Sequence, residues 1–349
     1  MQLYPKLILD ALKNVRYPGT RKDIVSAEMV EDDIRIDGNR VSFSLVFEKE
    51  NDPFAKSLVK ASEQAILTYI SENVDIKGNI KTKFKNVGSR RATTLQPNVK
   101  NIIAVFSGKG GVGKSTVSAN LAVSLAKLGY SVGLLDADIH GPSMPKMFGI
   151  EDAHPVMEEI DGKQYIVPME AHGVKLLSIG FFVDPESALV WRGGMASNAL
   201  RQLINDANWG KLDYFIVDMP PGTSDIHLAL VQALKISGAV IVTTPQEVAL
   251  ADARKGINMF RNDKINVPIL GLVENMAWFT PAELPENRYY IFGKDGGKRL
   301  AEEMNIPLLG EIPLVQSVRE AGDEGMPVSC NDENVSASFF MEIARKLMC

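Results

Sequence analysis

The sequence predicts an α/β chain in two parts. A small α/β domain over residues 1–87 and a linker at 88–99 precede a mostly parallel, doubly wound sheet over 100–349. Three observations lead there. Apolar, strand-like runs recur down the larger part with helical stretches between them, the pattern of a parallel sheet covered on both faces. At 349 residues the chain exceeds one ordinary core. Charge also divides: residues 1–99 carry 16 basic and 13 acidic side chains, net +3, and residues 100–349 carry 22 and 30, net −8.

In the small part, Leu7, Leu9, Leu12 and Val15 recur at helical spacing among polar neighbours, predicting a helix over Leu3–Val15. Strands at Ile34–Ile36 and Val41–Phe47 flank Asp37-Gly38-Asn39, a turn signal. A second helix starts near Pro53 and runs to about Ile70, and a last strand covers Ile80–Phe84. Lys81, Lys83 and Lys85 form a row there that suits either a guarded sheet edge or an acidic partner. The stretch from Asn86 to Asn98 has no sustained period and reads as the linker. Beyond it the strand-like runs are Ile102–Phe106, Val132–Leu135, Val174–Ile179, Phe215–Val217, Ala239–Val242 and Ile269–Val273. Ligands of such sheets bind at the carboxyl ends of the strands.

Composition narrows the function. With 45% hydrophobic and 23% charged residues the chain is globular, and its net charge of −5 disfavours a general nucleic-acid binder. No apolar run approaches the roughly 18 residues that cross a bilayer. Lys6, Asp10 and Lys13 interrupt the N-terminal stretch, so it lacks the apolar centre of a secretory signal. Cys330 and Cys349 are the two cysteines, too few for a disulfide scaffold. The expectation is a cytoplasmic protein with neither membrane nor nucleic acid as partner.

Gly108-Lys109-Gly110-Gly111-Val112-Gly113-Lys114-Ser115 fits G-x-x-x-x-G-K-[ST], followed by Thr116. It follows the strand Ile102–Phe106 and opens a helix predicted over Val117–Leu128, so it reads as a phosphate-binding loop. Glycines let several backbone N–H groups converge on one phosphate chain at the positive end of a helix. Lys114 adds a full charge near the β and γ phosphates, and the Ser115 hydroxyl joins the Mg2+ shell. Two further segments end strands in carboxylates: Asp136-Ala137-Asp138, and Tyr214-Phe215-Ile216-Val217-Asp218 before Met219-Pro220-Pro221-Gly222-Thr223. The second is the Walker B arrangement, with Asp218 holding magnesium through water and the Gly222 N–H facing the γ phosphate. Histidines 140, 154, 172 and 227 lack metal-ligand spacing and receive no role.

The run Lys109-Gly110-Gly111-Val112-Gly113-Lys114-Ser115-Thr116 resembles the deviant P-loop ATPases, the family of Mrp/ApbC, MinD, ParA and nitrogenase iron protein. That resemblance implies ATP hydrolysis, slow and switch-like, in a homodimer. Lys109 would reach the partner's phosphates, an arginine-finger role in trans; a solvated lysine is the other reading. Asp138 would align or activate the attacking water, with Asp136 near magnesium or merely a loop carboxylate. Asn275, closing a strand at Val273-Glu274-Asn275, would read the adenine edge or stand without a ligand.

The Mrp/ApbC branch, iron–sulfur cluster carriers, is the nearest likeness. It rests on Asp136-Ala137-Asp138-Ile139-His140-Gly141-Pro142-Ser143, Val190-Trp191-Arg192-Gly193-Gly194-Met195, Trp209 through Thr223, and Gly310-Glu311-Ile312-Pro313-Leu314. Residues 1–85 resemble the MIP18-like domain that precedes such ATPases. The implied partners are iron–sulfur apoproteins or assembly factors, and the implied cargo an iron–sulfur cluster. One departure stands out. Carriers in this family usually place Cys-x-x-Cys shortly after Glu-Asn-Met, but this chain reads Glu274-Asn275-Met276-Ala277-Trp278-Phe279-Thr280-Pro281, and Asp52-Pro53 stands where relatives often have Cys-Pro. Cys330 is the remaining candidate ligand, or a bystander with Cys349. Two alternatives stay open: a MinD/ParA-like positioning ATPase, and a cluster-free ATP-dependent scaffold or chaperone. Against the first, the C-terminal helix over Ser338–Met348 has a net charge of only +1, better suited to packing in the core than to a membrane.

Overall fold

The computed structural model describes residues 3–17, 23–27, 29–31, 33–47, 52, 54–71, 73–84, 98–139, 141–182 and 193–348. Most of the expected linker, Pro53, Lys85, His140, residues 190–192 of the Val190–Met195 motif and Cys349 lie outside them. The chain divides into two compact units, residues 1–91 and 92–349.

In the first unit, α1 (Pro5–Leu12) starts at Pro5, whose fixed φ suits a first helical position. β1 (Arg35–Asp37) and β2 (Arg40–Phe47) form an antiparallel hairpin that turns through Gly38 at φ 58°. α2 (Ala55–Tyr69) then crosses over to β3 (Ile80–Phe84), which pairs in parallel with β2. Ile8, Leu12, Phe43, Leu45, Leu58 and Ile66 fill the core between helices and sheet. β3 is an edge strand. Its Lys83 is paired with Glu31 and Asp33 of the same unit, so within the described part of the lysine row that charge guards an edge.

The second unit runs β4 (Val99–Phe106), α3 (Lys114–Lys127), β5 (Val132–Asp136), α4 (Met144–Met147), the hairpin β6 (Met157–Ile160) and β7 (Lys163–Ile166), then β8 (Met169–Ala171) and β9 (Val174–Ser178). It continues α5 (Gly193–Asn205), β10 (Leu212–Asp218), α6 (Asp225–Ala233), β11 (Gly238–Thr243), α7 (Glu247–Arg261) and β12 (Ile269–Phe279). Last come α8 (Gly296–Met304), β13 (Leu308–Leu314), α9 (Gln316–Asp323) and α10 (Val335–Lys346).

Eight strands form one sheet in the order β13-β12-β11-β4-β10-β5-β9-β8, parallel throughout except for β8 on β9. The two-residue period of β4 supplies both cores. Ile102, Ala104 and Phe106 enter the layer that also holds Leu200, Leu230, Ile257 and Leu300 of α5 to α8. Ile103 and Val105 face Val117, Leu121, Phe340 and Ile343 of α3 and α10. The apolar side of α10 is therefore spent inside the unit, as expected for a core-packed terminal helix.

One strand expectation needs correction, and four strands add to the reading. β12 does not end at Asn275 but continues to Phe279, because Met276 takes a left-handed conformation (φ 57°) and its irregularity lets pairing with β13 resume. β13 and the β6–β8 region were not foreseen as strands. Gly310, Glu311 and Pro313 break the apolar run of β13, and β6 and β7 are short and largely exposed.

Candidate nucleotide site

β4 lies between β11 and β10, where the strand order reverses, and the loop 107–113 leaves its carboxyl end there. The loop closes on Gly113, the N-cap of α3, at φ 84° with no side-chain cap. Only glycine fits: beyond the backbone requirement, a Cβ would overlap the Asn275 amide. Gly108 is held equally close, since a Cβ there would overlap the backbone of Asp252 in α7. Gly110, Gly111 and Lys109 are exposed on the rim, and among the described residues Lys109 makes no ion pair. α3 starts at Lys114, three residues before the predicted Val117, because the left-handed Gly113 redirects the backbone into the helix at once.

The side chains of the loop converge on Asp218. Lys114, 6% exposed, brings Nζ to 2.7 Å from Asp218 Oδ2. Ser115 Oγ donates to the same oxygen at 2.8 Å, and Ser118 Oγ donates to Oδ1 at 2.6 Å. Register then adds a second acid, because β10 and β5 pair Asp218 with Asp136. Both carboxylates are fully buried. Asp136 accepts from Ser178 Oγ at 2.9 Å and from the Met144 N–H at 3.2 Å. Burial, and next the Asp218 charge, push the Asp136 carboxyl up to about 7. Two adjacent buried acids facing one lysine leave negative charge incompletely balanced, and with the Ser115 hydroxyl they offer hard oxygen donors. That donor set fits magnesium.

Asp138 is half-buried beyond β5, and its N–H donates to Asp136 Oδ1 at 3.2 Å. Thr116, in the first turn of α3, is also half-buried. Asn275 reaches the loop itself: Nδ2 donates to the Val112 carbonyl at 2.9 Å, so β12 braces the glycine curl. The Gly222 N–H, in the loop after β10, donates to Ser107 O at 3.0 Å, which ties that loop to the end of β4. The structure thus gathers Lys114, Ser115, Asp136 and Asp218 tightly, with Asn275 and Gly222 attached through backbone contacts. Cys330 stands apart, packed beside Lys127 at the opposite end of α3. The 14 residues of that helix span about 20 Å. Burial pushes its thiol up, away from thiolate character.

Sequence reasoning passed over His227. It is fully buried beneath the Asp218–Gly222 segment, with Nε2 2.9 Å from the Pro220 carbonyl. The signal was Ser224-x-x-His227, capping-box spacing with histidine in place of the usual Glu or Gln.

The family described as NUBPL iron-transfer P-loop NTPase matches residues 98–348, and a family described as iron-sulfur cluster assembly protein matches residues 6–77. The iron-sulfur cluster carrier protein of Synechocystis sp. is 44% identical over 97% of this chain and 96% of its own length. That of Deinococcus radiodurans is 41% identical over 97% of this chain and 93% of its own. Among solved structures, a nucleotide-binding protein in complex with ADP from Archaeoglobus fulgidus is 36% identical, covers 69% of this chain and 92% of its own, and superposes with a TM-score of 0.59. Pyrococcus furiosus MinD, 24% identical over 71% of this chain and 98% of its own at a TM-score of 0.52, shares the fold. A glycine curl opening α3, Asp218 at the end of β10 2.7 Å from Lys114 and a family match over residues 98–348 lead to one conclusion: the chain belongs to the NUBPL iron-transfer P-loop NTPases.

Proposed function

We propose that this chain is a cytoplasmic, homodimeric ATPase that carries iron–sulfur clusters and hands them to apoproteins. The observation that supports it most is the convergence of Lys114, Ser115 and the paired acids Asp136 and Asp218 at one strand-end rim, in a chain alike to named carriers over nearly its full length. In this reading Gly108, Lys109, Gly110, Gly111, Val112, Gly113, Lys114, Ser115 and Thr116 cradle the phosphates. A β–γ phosphate competes with Asp218 for Lys114, and Ser115 and the two aspartates hold magnesium, partly through water. Magnesium supplies charge neutralisation on the phosphates. Asp138 orients the water, Gly222 senses the γ phosphate, Asn275 lies at the adenine edge, and Lys109 serves the partner's phosphates.

A second reading, a cluster-free ATP-driven scaffold, draws support from the segment where carriers of the Mrp/ApbC type bear their cysteine pair. Here Arg288 sits 4.3 Å from the centroid of the Trp278 ring, and Phe279 pairs with Tyr289 through the backbone. One experiment decides between them. The full chain is purified without oxygen, supplied with iron and sulfide, and assayed for bound iron, acid-labile sulfide, transfer to an apo acceptor, and ATP turnover. Carriage predicts bound cluster and transfer; turnover with iron and sulfide at background selects the scaffold, and no turnover rejects both.

A further inference from the structure

The loop that follows β10 is fastened at both ends by one buried side chain. His227 Nε2 lies 2.9 Å from the Pro220 carbonyl, which can only accept, so that nitrogen carries the proton. Nδ1 is then bare, and it accepts from the Ser224 N–H at 3.0 Å. Ser224 Oγ also lies within reach of Nδ1, at 3.1 Å. The ring therefore bridges residues 220 and 224, and Gly222 stands midway between them at φ 75° with its N–H on Ser107 O at 3.0 Å. Phe106, the residue before Ser107, meets the imidazole edge-on at 5.5 Å and 74° and sets its plane. The end of β4, the loop 219–223 and the start of α6 thus meet on one imidazole.

We propose that His227 is a positioning residue for nucleotide hydrolysis: its Nε2–H on Pro220 holds the 219–223 loop, whose Gly222 N–H rests on Ser107 O, in place against the end of β4 beside the phosphate rim. The proposal rests on the reading of that rim as the γ-phosphate site. It follows from the bonding inventory of the ring. An apolar replacement leaves the Pro220 carbonyl without a partner in a buried place and releases the Ser224 N–H, on an exposed residue, to water, and the loop is then free to seek other contacts. Burial disfavours the imidazolium, in keeping with the neutral tautomer that both contacts require. The role is indirect, since the imidazole touches loop backbone and no reacting atom.

Isosteres separate the two ends of the ring. Glutamine at 227 places an amide N–H where Nε2 donates, whereas asparagine places an oxygen where Nδ1 accepts. Full-length H227Q, H227N and H227A are compared for kcat and KM of ATP hydrolysis and for ADP affinity. The proposal expects H227Q to keep kcat within about threefold of wild type. It expects H227N and H227A to lose at least tenfold in kcat, with KM and ADP affinity changed less than threefold. If H227A does not fold, the glutamine–asparagine contrast still decides. Equal kcat in H227N and wild type, or parallel loss of kcat and ADP affinity in H227Q and H227N, overturns it. K114A is run alongside. Turnover that persists in K114A rejects the underlying reading of the rim and with it the proposal, whereas turnover lost in K114A but kept in H227N rejects only the role of His227.

Discussion

Glu274→Gln tests the electrostatics of the β12 end most directly. Glu274 is 1% exposed; Oε2 accepts the Gly297 N–H in the first turn of α8, and Oε1 has no hydrogen-bond partner among the described residues. Burial first, then the charges of Glu311 and Asp295, raise its carboxyl from the ordinary 4.5 to about 6, against the pull of Gly297 and Arg299. At 1.36 kcal/mol per tenfold, ionised Glu274 costs the fold about 2 kcal/mol. The sign follows from proton uptake. Between pH 4.5 and about 6 the folded chain holds this proton more tightly than the unfolded chain, so stability falls as pH rises through that window. Glutamine has nothing to ionise. Whatever its amide gains or loses against neutral Glu274 is the same at every pH, so the pH dependence of the difference is the diagnostic quantity. The thermal midpoint of the larger unit in E274Q should gain on wild type by about 4–8 °C between pH 4.5 and 7.5, at 2–4 °C per kcal/mol for a domain of this size. A difference that stays constant across that range refutes the reasoning.

Lys114→Ala should abolish ATP turnover and also destabilise the larger unit by about 3–5 kcal/mol, because it leaves Asp218 buried beside Asp136 without its cation. Adding Asp218→Asn should restore most of the thermal midpoint and none of the turnover, checked by calorimetry and phosphate release. Lys109→Ala, on an exposed side chain, should leave ADP affinity within about threefold and the midpoint unchanged while lowering kcat by about 1,000-fold or more, the range for a charge supplied in trans. Retained turnover refutes that role. Asp138→Ala should bind ATP with unchanged affinity and lose about 100-fold or more in kcat, the scale of one positioned acid or base; single-turnover hydrolysis at the wild-type rate assigns the water to another group.

How much of this was legible depends on how far apart the cooperating residues stand. The loop motif is written in eight consecutive positions, and three of its glycines answer a local requirement, Gly111 and Gly113 a left-handed φ and Gly108 the close approach of Asp252. The strands of the sheet interior announced themselves because burial on both faces demands continuous apolar runs, as in Ile102–Phe106. β13 did not, because Gly310 gives room to Ile343 of α10, and such a choice has meaning only once α10 is packed there. The pairing of Asp136 with Asp218 is likewise a product of register between β5 and β10, strands that the sequence separates by the helices α4 and α5, the β6–β7 hairpin and the strands β8 and β9.

Asn275 and His227 mark the boundary of what a linear reading can assign. Each grips backbone at the rim: Asn275 Nδ2 donates to Val112 O, and His227 Nε2 donates to Pro220 O. Backbone carbonyls carry no residue identity, so no motif can record them as partners. Yet these two contacts hold the two loops that flank the end of β4, one leading into Lys114 and the other carrying Gly222. Bracing of that kind needs a rigid donor of the right length at a buried place, and two unrelated side chains meet the requirement on opposite flanks of β4, from β12 beyond β11 on one side and from α6 following β10 on the other. The site is therefore pre-organised from outside its own motif.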